Sequence, residues 1–227
     1  MSAAIRVARD GGVLRLALSR PESRNALSSA LVRELGKALE EHARDASVRV
    51  LILSGDGPDF CAGADLADMQ RVGAADLAEN LADAERLSAT FRALADFPRP
   101  VVARVHGNVF GGGAGLTAAC DIAVVAKDAR FAFSEVRLGI LPAIISPYVV
   151  RKIGEANARR YFLTAERFGA QEAKAIGLAA KICPLAELDS AVDISGSSEG
   201  TPRANNRFEL FSSWHALTVC SAEHSHW

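Results

Sequence analysis

Three stretches of this sequence carry residues whose types and spacing could do chemistry. The first is Val102 to Ala126, VARVHGNVFGGGAGLTAACDIAVVA, where an apolar run meets a turn, three glycines, a small-residue segment and a second apolar run. Strand, glycine turn, helix start and strand bring bare backbone N–H groups to a place that a ligand can reach. Glycine removes the side chains that would block such an approach and tolerates backbone angles that other residues resist. The first N–H groups of a helix have no partner inside it, and the helix dipole favours negative charge there. An anion or a developing oxyanion is the natural guest, although a glycine triplet alone is as readily a tightly packed turn.

The second stretch is Phe60-Cys61-Ala62-Gly63-Ala64-Asp65-Leu66, again small residues with open backbone. If the fold brings the backbone near Ala62 and near Gly112 together, two N–H groups could point at one carbonyl oxygen. Such a pair stabilises the charge that builds there as the carbonyl becomes an enolate, and losing one donor typically costs about 3–4 kcal/mol. The third is Glu135, which follows a strand end and precedes the apolar run from Leu138. An apolar pocket would raise its pKa and suit it to proton transfer near neutral pH. The spacing also allows a surface glutamate that caps a turn or pairs with Arg137.

The elements that must position these groups alternate between strand and helix periods. Ile5 to Ser19 reads as a hairpin turning at Asp10-Gly11-Gly12. Arg20 to Leu27 breaks that pattern, and Ser28 is a plausible N-cap for a helix over about Ser29 to Arg44, with Leu31, Leu35, Leu39 and His42 on one face. Arg49 to Ser54 is the continuous apolar run of a parallel strand covered on both sides. Residues 67–96 are helical in period, and Phe97-Pro98-Arg99-Pro100 ends them. A short strand over Ala129 to Phe133 follows. Leu138 to Val150 reads as a proline-interrupted helix or a pocket-lining loop. Helices over Glu155 to Leu163 and Ala170 to Leu178 and a strand over Lys181 to Cys183 complete an α/β pattern with a largely parallel sheet.

Composition narrows the partners. The 227 residues are 49% hydrophobic and 23% charged, as in an ordinary globular chain, and suffice for one large domain. A net charge of −1 gives no reason to expect nucleic acid or a membrane surface as the main partner. The cysteines Cys61, Cys120, Cys183 and Cys220 are scattered, which argues against a disulfide framework or a zinc site; Cys61 and Cys120 sit among small apolar residues, as buried hydrophobes do. No targeting segment is visible, and the longest apolar stretch is too short to span a bilayer, so the cytoplasm is the expected compartment. From Asp193 the character changes: Ser, Gly, Asn, Thr and Pro crowd residues 195–206, a composition that rarely packs. His215, His224 and His226 have no carboxylate or cysteine at ligand-like spacing, so no metal is expected.

The order and spacing of RPESRNAL (20–27), FCAGADL (60–66), VHGNVFGGGAGLTAACDIAVVA (105–126) and FAFSEVRLGILPA (131–143) resemble the enoyl-CoA hydratase/isomerase (crotonase) superfamily over about residues 5–190. Within it, SEVRLGILPA, IISPYVVRKIG and ARRYFLTAERF are similar to bacterial 3-methylglutaconyl-CoA hydratases of leucine and isovalerate breakdown. The resemblance implies a spiral of ββα turns over residues 1–192, assembled as trimers or dimers of trimers. It implies an acyl-CoA thioester as substrate, with coenzyme A part of it and no separate cofactor. The Ala62 and Gly112 N–H groups would form the oxyanion hole. Arg24, Ala26, Ala64, Asp65, Leu66 and Gly113 would line the coenzyme A and substrate site, and Glu135 would be a catalytic glutamate.

Two departures accompany the resemblance. Where the two-glutamate hydratases carry Glu two residues after the glycine triplet, this chain has Gly115, with only Ala114 and Thr117 nearby. A single glutamate suits hydration, with Glu135 activating a water or delivering a proton to the α-carbon. It equally suits a proton shuttle between α- and γ-carbons, as in the enoyl-CoA isomerases; the segment after Glu135 favours hydration. The second departure is that the resemblance stops near Ala191-Val192-Asp193, so residues 193–227 read as an atypical tail, frameshifted or divergent, in place of the usual C-terminal helices. A non-catalytic acyl-CoA-binding protein is the reading that these two departures would favour.

Overall fold

The computed structural model describes residues 3–193. The chain opens with a hairpin of β1 (Ile5–Asp10) and β2 (Val13–Leu18), paired antiparallel around Gly11 and Gly12. Helix α1 (Ser29–Ala43) starts where Ser28 accepts the Leu31 N–H at 3.2 Å, and it buries Leu31, Leu35 and Leu39. Next come β3 (Val50–Gly55), α2 (Leu66–Gly73) and α3 (Leu77–Ala95). The expected single helix over 67–96 is therefore two. Asp76 accepts the Glu79 N–H and begins a new helix, so the apolar period restarts there.

The next turn supplies β4 (Val101–Val105), β5 (Asn108–Phe110) and α4 (Gly112–Ala119). It is followed by β6 (Ile122–Ala126), β7 (Arg130–Ala132), a 3₁₀ turn at Glu135–Leu138 and α5 (Ser146–Ile153). Then come α6 (Glu155–Thr164), β8 (Phe168–Gly169), α7 (Ala170–Ala175), β9 (Lys181–Cys183) and α8 (Leu188–Val192). The 138–150 stretch is thus a loop followed by a helix. Pro147 sits in the first turn of α5, where its missing N–H costs nothing, so it starts the helix instead of interrupting one.

Among the described residues the strands form two sheets. The large one runs β1-β2-β3-β4-β6-β9 and is parallel except for β1. The small one runs β5-β7-β8. The first turn gives both β1 and β2 to the large sheet, whereas β4 with β5 and β6 with β7 give one strand to each sheet before a helix, and the bridge between Cys61 and Val109 adds the 60–66 stretch to the small sheet after β3. This is the ββα spiral. Strands β3, β4 and β6 are buried almost throughout, which their uninterrupted Val, Ile and Leu runs require. The main core holds Leu14, Leu51, Phe91, Phe131, Phe133 and Tyr161. A smaller cluster on the other sheet face packs Ile52, Val102 and Val124 against Leu188 and Val192 of α8.

No helix among the described residues is long and apolar enough to cross a membrane. None of their His, Cys, Asp and Glu side chains gather in threes to hold a metal ion. The unusual tail composition and His215, His224 and His226 lie outside the described residues.

Candidate active site

The site is built where the turn from β5 into α4 meets the 60–66 stretch. Gly111 has φ 48° and ψ −116°, a backbone conformation that side chains resist, and its N–H donates to the Ala132 carbonyl at 2.8 Å. That bond fixes the turn to β7, the strand that leads to Glu135. Helix α4 then begins with Gly112, and its first backbone bond is Gly115 N–H to the Gly111 carbonyl at 3.0 Å. The Gly112 N–H accordingly has no acceptor among the described residues. It is held at a helix N-terminus, where partial positive charge accumulates.

The 60–66 stretch runs alongside. Phe60 and Cys61 donate to the His106 and Asn108 carbonyls at 2.9 and 3.2 Å, and Phe110 donates back to the Cys61 carbonyl at 3.0 Å. The two turns touch backbone to backbone. A Cβ on Gly113 would lie 2.4 Å from the Cys61 carbonyl oxygen, and one on Gly63, which has φ +99°, would lie 3.1 Å from the Phe110 carbonyl oxygen. The juxtaposition expected from the sequence is therefore present.

The donor expected from the first turn requires correction. The Ala62 N–H donates to the Arg24 carbonyl at 2.9 Å and has no capacity left for a ligand. Two residues on, the Ala64 N–H has no acceptor among the described residues, because the bridge to Leu27 uses the Gly63 carbonyl and the Asp65 N–H on either side of it. Ala64 is exposed. Regular alternation would aim the Ala62 and Ala64 N–H groups the same way, but Gly63 at φ +99° breaks the extended run between them, so the one left open is decided by a neighbouring segment. That neighbour is the Arg24–Leu27 loop.

Glu135 stands directly over the glycine turn. A Cβ on Gly111 would lie 3.1 Å from Glu135 Oε1, so the glycine makes room for the carboxylate. Glu135 Oε2 is buried and has no hydrogen-bond partner. Burial pushes the carboxyl pKa above its usual range, since the loss of water outweighs the one hydrogen bond from the residue's own backbone N–H. Arg137 is turned away and donates to the Ala165 carbonyl at 2.9 Å, so the alternative of a Glu135–Arg137 pair is not realised. A carboxylate that is half-buried, unpaired and proton-avid beside two unoccupied N–H groups is equipped to move a proton near a carbonyl.

The position of the absent second glutamate is closed. A Cβ on Gly115 would come within 2.3 Å of Ile145 Cγ2, 2.7 Å of Ile145 Cβ and 3.1 Å of Phe91 Cε1. Thr117 donates its hydroxyl to the Gly113 carbonyl at 3.0 Å and is fully buried, as is Ala114. Cys61 is also fully buried, with its thiol pushed up to about 12 by loss of water, so it packs as an apolar side chain.

The residues expected at coenzyme A divide. Arg24, Ala64 and Leu66 are exposed around the mouth of the two turns, and Arg24 lies 3.8 Å from Asp59. Ala26 is buried, and its carbonyl accepts from Arg20 at 3.2 Å. Asp65 is engaged within the chain: it caps α2 by accepting the Ala67 and Asp68 N–H groups, and it pairs with Arg20 at 3.0 Å. Its carboxylate positions α2 and has little left for a ligand. Sequence reasoning passed over Asn25, which is fully buried; it accepts the Arg20 N–H at 2.8 Å and donates to the Asp56 and Asp59 carbonyls at 2.8 Å each. It also passed over Leu27, which packs where a Gly112 side chain would be. The available signal for Asn25, which sits at φ 56°, was an Asn, a residue type that tolerates left-handed backbone, within a loop of charged residues.

Comparison with known proteins agrees with this architecture. The solved structure of an enoyl-CoA hydratase from Shewanella pealeana matches with a TM-score of 0.84 at 36% identity, over 96% of this chain and 86% of that one. Pseudomonas aeruginosa AtuE matches at 0.84 and 37%, over 98% and 85%. The fold is that of the crotonases, as in the enoyl-CoA hydratase/isomerase (crotonase) structure from Legionella pneumophila, which matches at 0.86 and 34%, over 99% of this chain and 92% of that one. In sequence, the 2,3-dehydroadipyl-CoA hydratase of Escherichia coli is 38% identical over 180 residues, 78% of this chain and 68% of that protein. The profile of the enoyl-CoA hydratase/isomerase family matches residues 8–195, and the chain belongs to that family. It spans 56 to 69% of the length of the first curated relatives that it matches.

Proposed function

We propose that this protein hydrates an enoyl-CoA thioester, with Glu135 as its single acid–base and the Ala64 and Gly112 N–H groups as the oxyanion hole. The observation that carries this reading is the buried, partnerless Glu135 Oε2 beside those two unoccupied donors. The thioester oxygen accepts both N–H groups, and charge gathers on it as water adds. Glu135, ionised, takes a proton from the water while its oxygen bonds to the β-carbon. The same carboxyl then returns that proton to the α-carbon as the enolate collapses. The elements of water have been added across the double bond and Glu135 is regenerated. The exposed rim of Arg24 and Leu66 is where the coenzyme A part of the substrate would lie.

Our choice of acyl group is 3-methylglutaconyl-CoA, on the similarity of residues 134–168 to the hydratases of leucine and isovalerate breakdown. The test is loss of the enoyl thioester absorbance for the wild-type chain and for Glu135→Gln. Turnover reduced by a factor of about 10³ or more in the variant is expected, in the range for a lost acid–base group. Unchanged turnover would sink the mechanism. The closed position at Gly115 also favours a second reading, in which the lone carboxylate shuttles a proton between α- and γ-carbons. Conversion of a non-conjugated enoyl-CoA to its conjugated isomer, without hydration of the product, would select it.

A further inference from the structure

Glu135 and Ile145 cover neighbouring positions of one face of α4. Gly111 caps α4 and its carbonyl accepts the Gly115 N–H, so the two positions stand one helical turn apart. A Cβ on the first would meet Glu135 Oε1 at 3.1 Å, and a Cβ on the second would meet Ile145 Cγ2 at 2.3 Å. Ile145 is 5% exposed and precedes α5, while Phe91, its companion over Gly115, comes from α3 and stacks on Tyr148 of α5 with ring centroids 5.8 Å apart. The side chain is thus clamped between two helices and cannot swing aside without unpacking them. Beside it, the buried and partnerless Glu135 Oε2 marks this face as the one that awaits a ligand.

We propose that Ile145 is the specificity-determining residue of the acyl site. It fills the volume beside Gly115 and closes the face of α4 just past Glu135, so that the group the β-carbon carries on this side must be small, as the methyl group of 3-methylglutaconyl-CoA is. This rests on the acyl-CoA reading above. Two consequences follow from one contact. No functional side chain fits at position 115, which leaves Glu135 to act alone. The same atoms limit the acyl chain, because an extended substituent on the β-carbon would meet Ile145.

The test is calorimetric binding of saturated thioesters, butyryl-CoA against octanoyl-CoA, to the wild-type chain, Ile145→Val and Ile145→Ala. Saturated thioesters cannot be hydrated, so binding reports on the pocket separately from turnover. Wild type should prefer butyryl-CoA. Ile145→Ala should shift the ratio toward octanoyl-CoA by about 10-fold or more, since even one methylene changes discrimination by about 10- to 200-fold. Ile145→Val should shift it less and in the same direction, and it carries the test if the alanine variant does not fold. Gly115→Ala should weaken butyryl-CoA binding, and combining it with Ile145→Ala should restore it. An unchanged ratio in a folded Ile145 variant overturns the proposal. Binding without turnover of any enoyl-CoA in the wild type would remove the catalytic reading, leaving the proposal to be judged by the ratio. Failure to bind either thioester would remove both.

Discussion

At the scale of single residues, Glu135 is held in an environment that opposes its own charge. Its folded pKa is raised by burial, so the folded state holds the proton more firmly than the unfolded chain does. Below the ordinary glutamate pKa of about 4.3 both states are protonated and the site carries no penalty. As pH rises through the raised folded value, ionisation inside the pocket lowers stability. Glu135→Gln should therefore match the wild type in urea midpoint near pH 4 and exceed it near pH 8. Equal midpoints at both pH values would show that the carboxylate is better solvated than its burial implies. The same shift places the acid limb of kcat/KM above the range of an ordinary carboxylic acid, because Glu135 must be ionised to take a proton from water.

At the scale of elements, the proposed oxyanion donors depend on how closely two backbone turns approach. Gly63→Ala places a side chain at φ +99° and 3.1 Å from the Phe110 carbonyl oxygen. It should cost about 1–3 kcal/mol in stability, the usual range for such strain. It should also lower kcat, since it pushes Ala64 away from Gly112. Gly73→Ala at the end of α2 meets nothing within 4 Å and serves as the control; it should be neutral or stabilising by up to about 1 kcal/mol. Asn25 ties the 20–27 loop to Asp56 and Asp59 from a left-handed position. Asn25→Ala should cost roughly 2–3 kcal/mol through unsatisfied buried groups, read as a lower denaturant midpoint. It should loosen Leu27 over Gly112 as well.

At the scale of the whole molecule, the described surface leaves apolar side chains uncovered. Leu66, Leu77 and Leu81 on α2 and α3, and Leu141 in the loop before α5, are 54 to 82% exposed. Exposed apolar side chains in such numbers commonly mark surfaces of association. We expect sedimentation to give about three or six times the chain mass of 24.0 kDa, the trimer or dimer of trimers that the family resemblance implies. A sample that sediments at one chain mass at micromolar concentration would count against a trimer. Elsewhere, a cavity of about 550 Å³ lies on the sheet face opposite the main core. Its Arg6 and Arg104 are each held by two contacts, from Asp56 and Asp189, so it is a paired ionic region, unlike the unpaired Glu135 pocket.

The sequence by itself determined which residue types stand at the proposed site: the glycine triplet that opens a helix, Glu135 after a strand, and no carboxylate at Gly115. These follow from residue type and local order, as do the buried parallel strands and Ser28 at the start of α1. Short strands such as β5 and β8 escaped, because two or three residues carry no readable period and are strands only by virtue of their partners. Tertiary structure alone decided which N–H in FCAGADL is free. The Ala62 N–H is taken by the Arg24 carbonyl, from a loop distant in sequence, and Ala64 is left open. It likewise decided that the place of a second glutamate is filled by Ile145 and Phe91. Hydrogen-bond acceptors and packing volume come from residues that meet only when the chain has folded, and no local pattern encodes them.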